Sequence, residues 1–138
     1  MIRLTETIWI GDSSDSSLRF DAVLNVAQDL RGACGWPDVE YMQVGLIDGP
    51  GNPPSAYCAA VLALEALLSR HTRVLVCCHT RARSLAVVMM YLNIGSEYGW
   101  DGLLELLRER VDVDLPVPHE AHRKMFDQID WQLLDNLS

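Results

Sequence analysis

No apolar run in this chain, Leu85 to Leu92 included, approaches the roughly 20 residues that cross a bilayer. No membrane span is expected. Met1 to Glu6 has no apolar core followed by a small-residue cleavage site, so no signal peptide is expected either. Cysteine is sparse. Cys34, Cys58, Cys77 and Cys78 are too scattered to make a disulfide framework, which suits a reducing, cytoplasmic setting. No pair has the C-x2-4-C spacing that lets two thiolates reach one zinc ion, so neither metal nor other cofactor is expected. Basic residues are in deficit, 11 against 19 acidic ones, for a net charge of -8. That sign is opposite to the one duplex readers carry, which excludes a nucleic-acid duplex as partner. Internal repeats, low-complexity tracts and dividing linkers are also missing.

What is present is a globular balance of 49% hydrophobic and 22% charged residues over 138 positions. That length suits one domain, 1–138, large enough to bury a core without staples. Thr7 to Ile10 is a short β-prone run closed by Gly11-Asp12, and Ala22 to Ala27 is a mostly apolar strand of the doubly buried kind. Tyr41 to Ile47 reads as a third strand, running into the loop Asp48-Gly49-Pro50-Gly51-Asn52-Pro53-Pro54. From Ser55, a plausible cap, the apolar residues Tyr57, Ala60, Val61, Leu64, Leu67 and Leu68 fall at helical spacing. Arg73 to Val76 is a strand again. Ser84 to Asn93 predicts a helix apolar nearly all round, which belongs in the middle of the molecule. A helix begins at Leu103, and Pro118, at a first helical position, opens a last one through Phe126, Ile129, Leu133 and Leu137. Strands alternating with helices predict an α/β fold with a mainly parallel sheet.

The informative stretch is Val74 to Ser84: a buried strand, a tight loop and the start of a buried helix in immediate succession. Loop amides and a helix N-terminus converge their N–H groups and a positive dipole on one spot, which makes an anion site. A cysteine that opens such a loop is stabilised as its thiolate. Arg83 adds a planar fork able to hold two oxygens of a phosphoryl group at once. The basic residues Arg70, Arg73, Arg81 and Arg83 gather here against the acidic background of the chain.

Cys77 and Arg83, followed by Ser84, spell C-x5-R-S. This resembles the signature loop of cysteine-dependent protein phosphatases, the dual-specificity branch in particular. Thr5 to Gly11 and Phe20 to Val26 look like that family's first two strands, and Arg110 through Pro118-His119 like the approach to its last helix. Val76, Thr80, Ala82 and His119 stand where the family usually has His, Gly, Ser and Asn. The resemblance covers nearly the whole chain. It implies a central, mostly parallel sheet of about five strands with helices on both faces. It also implies a monomeric, metal-independent enzyme that hydrolyses the phosphoesters of phosphorylated proteins or small molecules. Cys77 would be the nucleophile, Arg83 and the loop Cys78, His79, Thr80, Arg81 and Ala82 the phosphate cradle, and Asp48 the general acid. Ser84 would bond the sulfur and help it leave.

Other readings fit the same letters. Cys78 and Arg83 give C-x4-R-S, which resembles the active loop of rhodanese-type sulfurtransferases, and a non-catalytic phosphate-binding module needs no nucleophile at all. Two cysteines at a strand end are often plain core thiols, and Asp before Gly-Pro-Gly is often a turn former. Asp38, which precedes its strand, is the lesser candidate for the acid. His79 and Arg81 also suit a solvated loop, and Cys34 and Cys58 suit packing.

Overall fold

The computed structural model describes residues 1–12, 20–30, 38–96 and 98–130. The apolar hexamer Ala22–Ala27 is buried at every position and forms β3. In chain order the strands are β1 (Ile2–Arg3), β2 (Ile8–Gly11), β3, β4 (Glu40–Leu46) and β5 (Val74–Cys77). They make one sheet in the order β1-β2-β5-β3-β4. β1 runs antiparallel to β2, and every other pairing is parallel. β5 is thus the middle strand, held by β2 on one side and β3 on the other. Parallel strands bring their C-terminal ends to one edge, where Gly11, Ala27, Leu46 and Cys77 end their strands.

Among the described residues four helices complete the fold: α1 (Pro54–Leu68), α2 (Ala82–Asn93), α3 (Gly99–Arg110) and α4 (Glu120–Gln128). The most deeply buried of them, α2, has no exposed position from Ala82 to Met90. It packs on β2, β3 and β5 and against α1, α3 and α4. Strand side chains alternate between faces, so Ile8, Ile10, Leu24, Val26, Val74 and Val76 join the helices in the main core. Val23, Leu75 and Cys77 turn the other way, toward Phe20, Trp9, Leu30, Val39 and Tyr41. None of the helices among the described residues is long and apolar enough to cross a membrane.

Several boundaries differ from the sequence expectation. The two-residue β1 escapes any periodicity; Ile2 and Arg3 pair with Ile10 and Trp9, and the Arg3 guanidinium stacks 4.8 Å over the Trp9 ring. Helix α1 opens at Pro54 with Pro53 as its N-cap, and no side chain caps it, Ser55 included. Proline at the first helical position loses nothing there, since that N–H has no intrahelical partner anyway. In α4 the cap is His119, whose Nδ1 accepts from Ala121 N at 3.0 Å, so Pro118 lies outside the helix. Leu133 and Leu137 lie outside the described residues. Leu24, fully buried between sheet and helices, gives a direct test of the core. Leu24→Ala is expected to cost about 2–5 kcal/mol, measured as a lower urea midpoint with unchanged slope.

Candidate active site

β5 ends at the centre of the sheet edge, and only four residues, Cys78 to Arg81, separate it from α2. So short a reversal needs one residue in the left-handed region, and Arg81 takes it at φ 69°. The third loop position, Thr80, is the one where the family that the loop resembles usually has Gly. A β-branched residue is the poorer occupant, and the strain falls on Arg81 instead. Such a conformation costs about 1–3 kcal/mol. An ion pair from Arg81 Nη2 to Asp12 Oδ2, at 3.1 Å, ties the loop to the end of β2.

The two adjacent sulfurs have different surroundings. Cys77, the last residue of β5, faces Val23 and Leu75 with 9% of its surface exposed. Cys78 lies on the helix side, fully buried. Ser84 donates twice to the Cys78 sulfur, from its Oγ at 3.2 Å and its backbone N at 3.4 Å. Ser84 is the third residue of α2, so the sulfur occupies the position of a capping acceptor at the helix start. The sulfur that the sequence resemblance assigns to Ser84 is that of Cys77. Strand alternation explains the difference, since it carries Cys77 to the face away from α2.

Arg83 is only 3% exposed. Its Nη1 donates to Asp29 Oδ1 at 3.0 Å and to the Leu46 carbonyl at 2.7 Å. Its Nε is buried with no hydrogen-bond partner among the described residues. Asp29 is a site residue that no sequence motif marks, although it lies just beyond β3 at the edge where the parallel strands end. The Arg83 hydrogen bond holds its carboxyl below the ordinary value. His79 Nε2 lies 3.4 Å from the same Oδ1. The loop and the first turn of α2 therefore set two basic side chains around one exposed carboxylate.

Asp48 lies beyond β4 in a loop that Asn52 closes as a peptide group would. Ile47 N donates to Asn52 Oδ1 at 2.8 Å, and Asn52 Nδ2 donates back to Ile47 O at 2.8 Å. Asn52 Nδ2 also reaches Tyr57 Oη at 3.2 Å, and Tyr57 Oη sits 2.6 Å from His122 Nδ1. His122 Nε2 is 3.4 Å from Asp48 Oδ1. This chain of side chains joins the Asp48 loop, α1 and α4. The sequence gives one faint hint of it: His122 shares a helical stripe with Phe126, and both are buried. The other acid candidate, Asp38, has φ 68°, the geometry of a turn former.

Burial holds the His122 imidazole below its ordinary pKa, and His119 and Arg83 add to that, while Asp48 opposes it. The consequence for stability has a definite sign. An unfolded histidine takes up its proton near pH 6.5, and the folded one resists until a lower pH. His122 thus contributes stability that is complete above about pH 6.5 and declines on acidification, by at most about 1.4 kcal/mol per pH unit. His122→Gln should remove this component. The difference between wild-type and variant urea midpoints, followed from pH 7.5 to pH 5, measures it.

Among the described residues no group of three His, Cys, Asp or Glu side chains could hold a metal ion. No family model matches the sequence, and no curated protein matches it. Solved structures do match. The crystal structure of DUSP15 superposes with a TM-score of 0.81 at 14% identity, over 98% of this chain and 92% of that one. Human DUSP28 gives 0.75 at 18% identity, over the whole of both chains. A mouse putative dual specificity phosphatase, complexed with zinc tungstate, gives 0.73 at 18% identity over 99% of this chain and 89% of its own. With its mixed, mostly parallel five-stranded sheet and the helices packed on it, this chain has the fold of the dual-specificity phosphatases.

Proposed function

We propose that this protein is a cysteine-dependent phosphatase that hydrolyses phosphate monoesters, with phosphotyrosine and phosphoserine or phosphothreonine proteins as its substrate class. The observation that carries the reading is Arg83: a buried guanidinium whose Nε is left without a partner beside the start of α2. An unsatisfied charged donor in that position is costly, and a phosphoryl oxygen is the group that would satisfy it. The mouse neighbour is complexed with zinc tungstate, and tungstate is a tetrahedral oxyanion of the same shape as phosphate. In this reading the protein works as a monomer in the reducing cytoplasm.

Cys78 serves as nucleophile in the proposed mechanism, because its sulfur is the one both Ser84 donors hold at the start of α2, beside Arg83. The sulfur attacks phosphorus in line; the S–P bond forms as the bond to the leaving oxygen breaks, and protonated Asp48 gives that oxygen its proton. Water then attacks the thiophosphate, Asp48 takes the water proton, and inorganic phosphate leaves while the thiolate is restored. Arg83 and the amides between His79 and Arg83 stabilise the equatorial oxygens. Since Cys78 is fully buried, the loop has to open for substrate to reach it.

Assaying the purified protein in the presence of a chelator tests the reading. Phosphate should be released from an aryl phosphate and from phosphotyrosine and phosphothreonine peptides, with a burst of one leaving group per active site. No release from any of them would overturn it. Cys78 also belongs to the C-x4-R-S spacing, so sulfur transfer from thiosulfate to cyanide is measured on the same sample; activity there alone would select the sulfurtransferase reading. Asp48→Asn should slow phosphotyrosine hydrolysis by about 10²-fold. Its effect on an aryl phosphate with a good leaving group should be much smaller. Equal losses on both would reduce Asp48 to a turn former.

A further inference from the structure

His122 is an unusual core residue. It is fully buried, yet each ring nitrogen has a polar neighbour on a different element. We propose that His122 is a positioning residue for the acid: its Nε2–H holds Oδ1 of Asp48, in a tautomer enforced by Tyr57, and leaves Oδ2 to carry the transferred proton. The inference rests on the phosphatase reading and deepens it.

The tautomer follows from counting donors. The Asn52 Nδ2 group can only donate; of its three acceptors the nearer two, Ile47 O at 2.8 Å and Tyr57 Oη at 3.2 Å, take its two hydrogens ahead of Gly49 O at 3.4 Å, so Tyr57 Oη accepts there. The Tyr57 proton is then free to go to His122 Nδ1, 2.6 Å away, which makes that nitrogen the acceptor. A neutral imidazole with Nδ1 accepting carries its proton on Nε2, the atom 3.4 Å from Asp48 Oδ1. The other groups facing the ring keep it neutral. Arg83 disfavours a second proton, as does His119, whose ring lies edge-on 6.1 Å away. Asn52 is itself pinned to Ile47, so the chain of donors starts from fixed backbone.

Asp48 needs such a partner. Its side chain is 44% exposed, and Gly49 and Gly51 follow it, the latter at φ 111°. A carboxyl beside two glycines could offer either oxygen in any direction. A donor on Oδ1 fixes the plane and reserves Oδ2 for the leaving group. The present 3.4 Å is long for a hydrogen bond, and such contacts commonly tighten when substrate is bound.

The test compares His122→Phe, which deletes both nitrogens, with His122→Gln, whose amide restores a donor toward Asp48, and with Tyr57→Phe, which frees the tautomer. For His122→Phe, kcat on a phosphotyrosine peptide should fall on the order of 10- to 100-fold. The fall on an activated aryl phosphate should be several times smaller, since that leaving group departs without a proton. His122→Gln should recover most of the loss, and Tyr57→Phe should fall between them. Imidazole ¹⁵N spectra of the wild type should place the proton on Nε2, with a resonance that moves in Asp48→Asn. Equal losses on both substrates, no recovery with Gln, or a proton on Nδ1 would overturn the inference and leave the phosphatase reading intact. If His122→Phe does not fold, the other two variants and the spectra still decide. A wild type inactive on both substrates would overturn the two together.

Discussion

Cys78→Ser should lower hydrolysis of an activated aryl phosphate by on the order of 10⁴–10⁶-fold, the scale on which enzymes lose a nucleophile, whereas Cys77→Ser should keep most of the activity. The alcohol that replaces the thiol is a far weaker nucleophile near neutral pH than a cysteine sulfur. Serine is close to cysteine in size, so neither change opens a large cavity, and melting curves can verify that both variants are folded. The asymmetry between neighbours is the informative part. Cys78 receives both Ser84 donors at 3.2 and 3.4 Å, while Cys77 packs against Val23 and Leu75 on the opposite face. The reverse result, with Cys77→Ser inactive and Cys78→Ser active, would return the nucleophile to the five-residue loop and make Cys78 a capping group for α2. Loss in both variants would point to the strand end as a unit and leave neither thiol assigned.

That question of register marks the limit of what the letters convey. C-x5-R and C-x4-R coexist in Cys77-Cys78-His79-Thr80-Arg81-Ala82-Arg83, and spacing cannot choose between them. The choice depends on which face of β5 each side chain takes, and that is set by pairing with Gly11 and Asn25 in neighbouring strands. By contrast, β3 and α2 were legible from composition alone. Each is apolar at nearly every position, and only a central strand or a central helix can be so. β1 is too short to have a period. His119 as a cap is hidden because histidine is a minor cap type, and Pro118 before it gives a stronger but misplaced signal. The partners of Asp48 are hidden for another reason. Asn52, Tyr57 and His122 come from a loop and two helices, and no spacing rule links residues that meet only through tertiary packing. Asp29 is the same kind of residue: an ordinary acidic side chain until β3 and α2 bring it to Arg83 Nη1.

Arg83→Lys should cost about 10³-fold or more in kcat/KM while leaving the fold in place. Lysine keeps the positive charge and can reach one of the two present acceptors, Asp29 Oδ1 or the Leu46 carbonyl. It has no second nitrogen and no Nε, so it cannot anchor on those groups and bind a phosphoryl oxygen at the same time. The guanidinium does both only because it is divided: Nη1 faces the protein, and Nε is buried without a partner among the described residues. Asp29→Asn separates anchoring from charge. It weakens the hold on Nη1 but leaves the Leu46 carbonyl, so its loss should be smaller than that of Arg83→Lys. Inhibition by vanadate, a tetrahedral oxyanion that mimics the transferred group, supplies a readout independent of turnover. It should weaken strongly in Arg83→Lys and modestly in Asp29→Asn. Should Arg83→Lys retain activity and vanadate binding within about tenfold, a difference of only about 1.4 kcal/mol, the buried guanidinium would be a structural tie between β3, β4 and α2. The anion site would then have to be built from the loop amides and His79 alone.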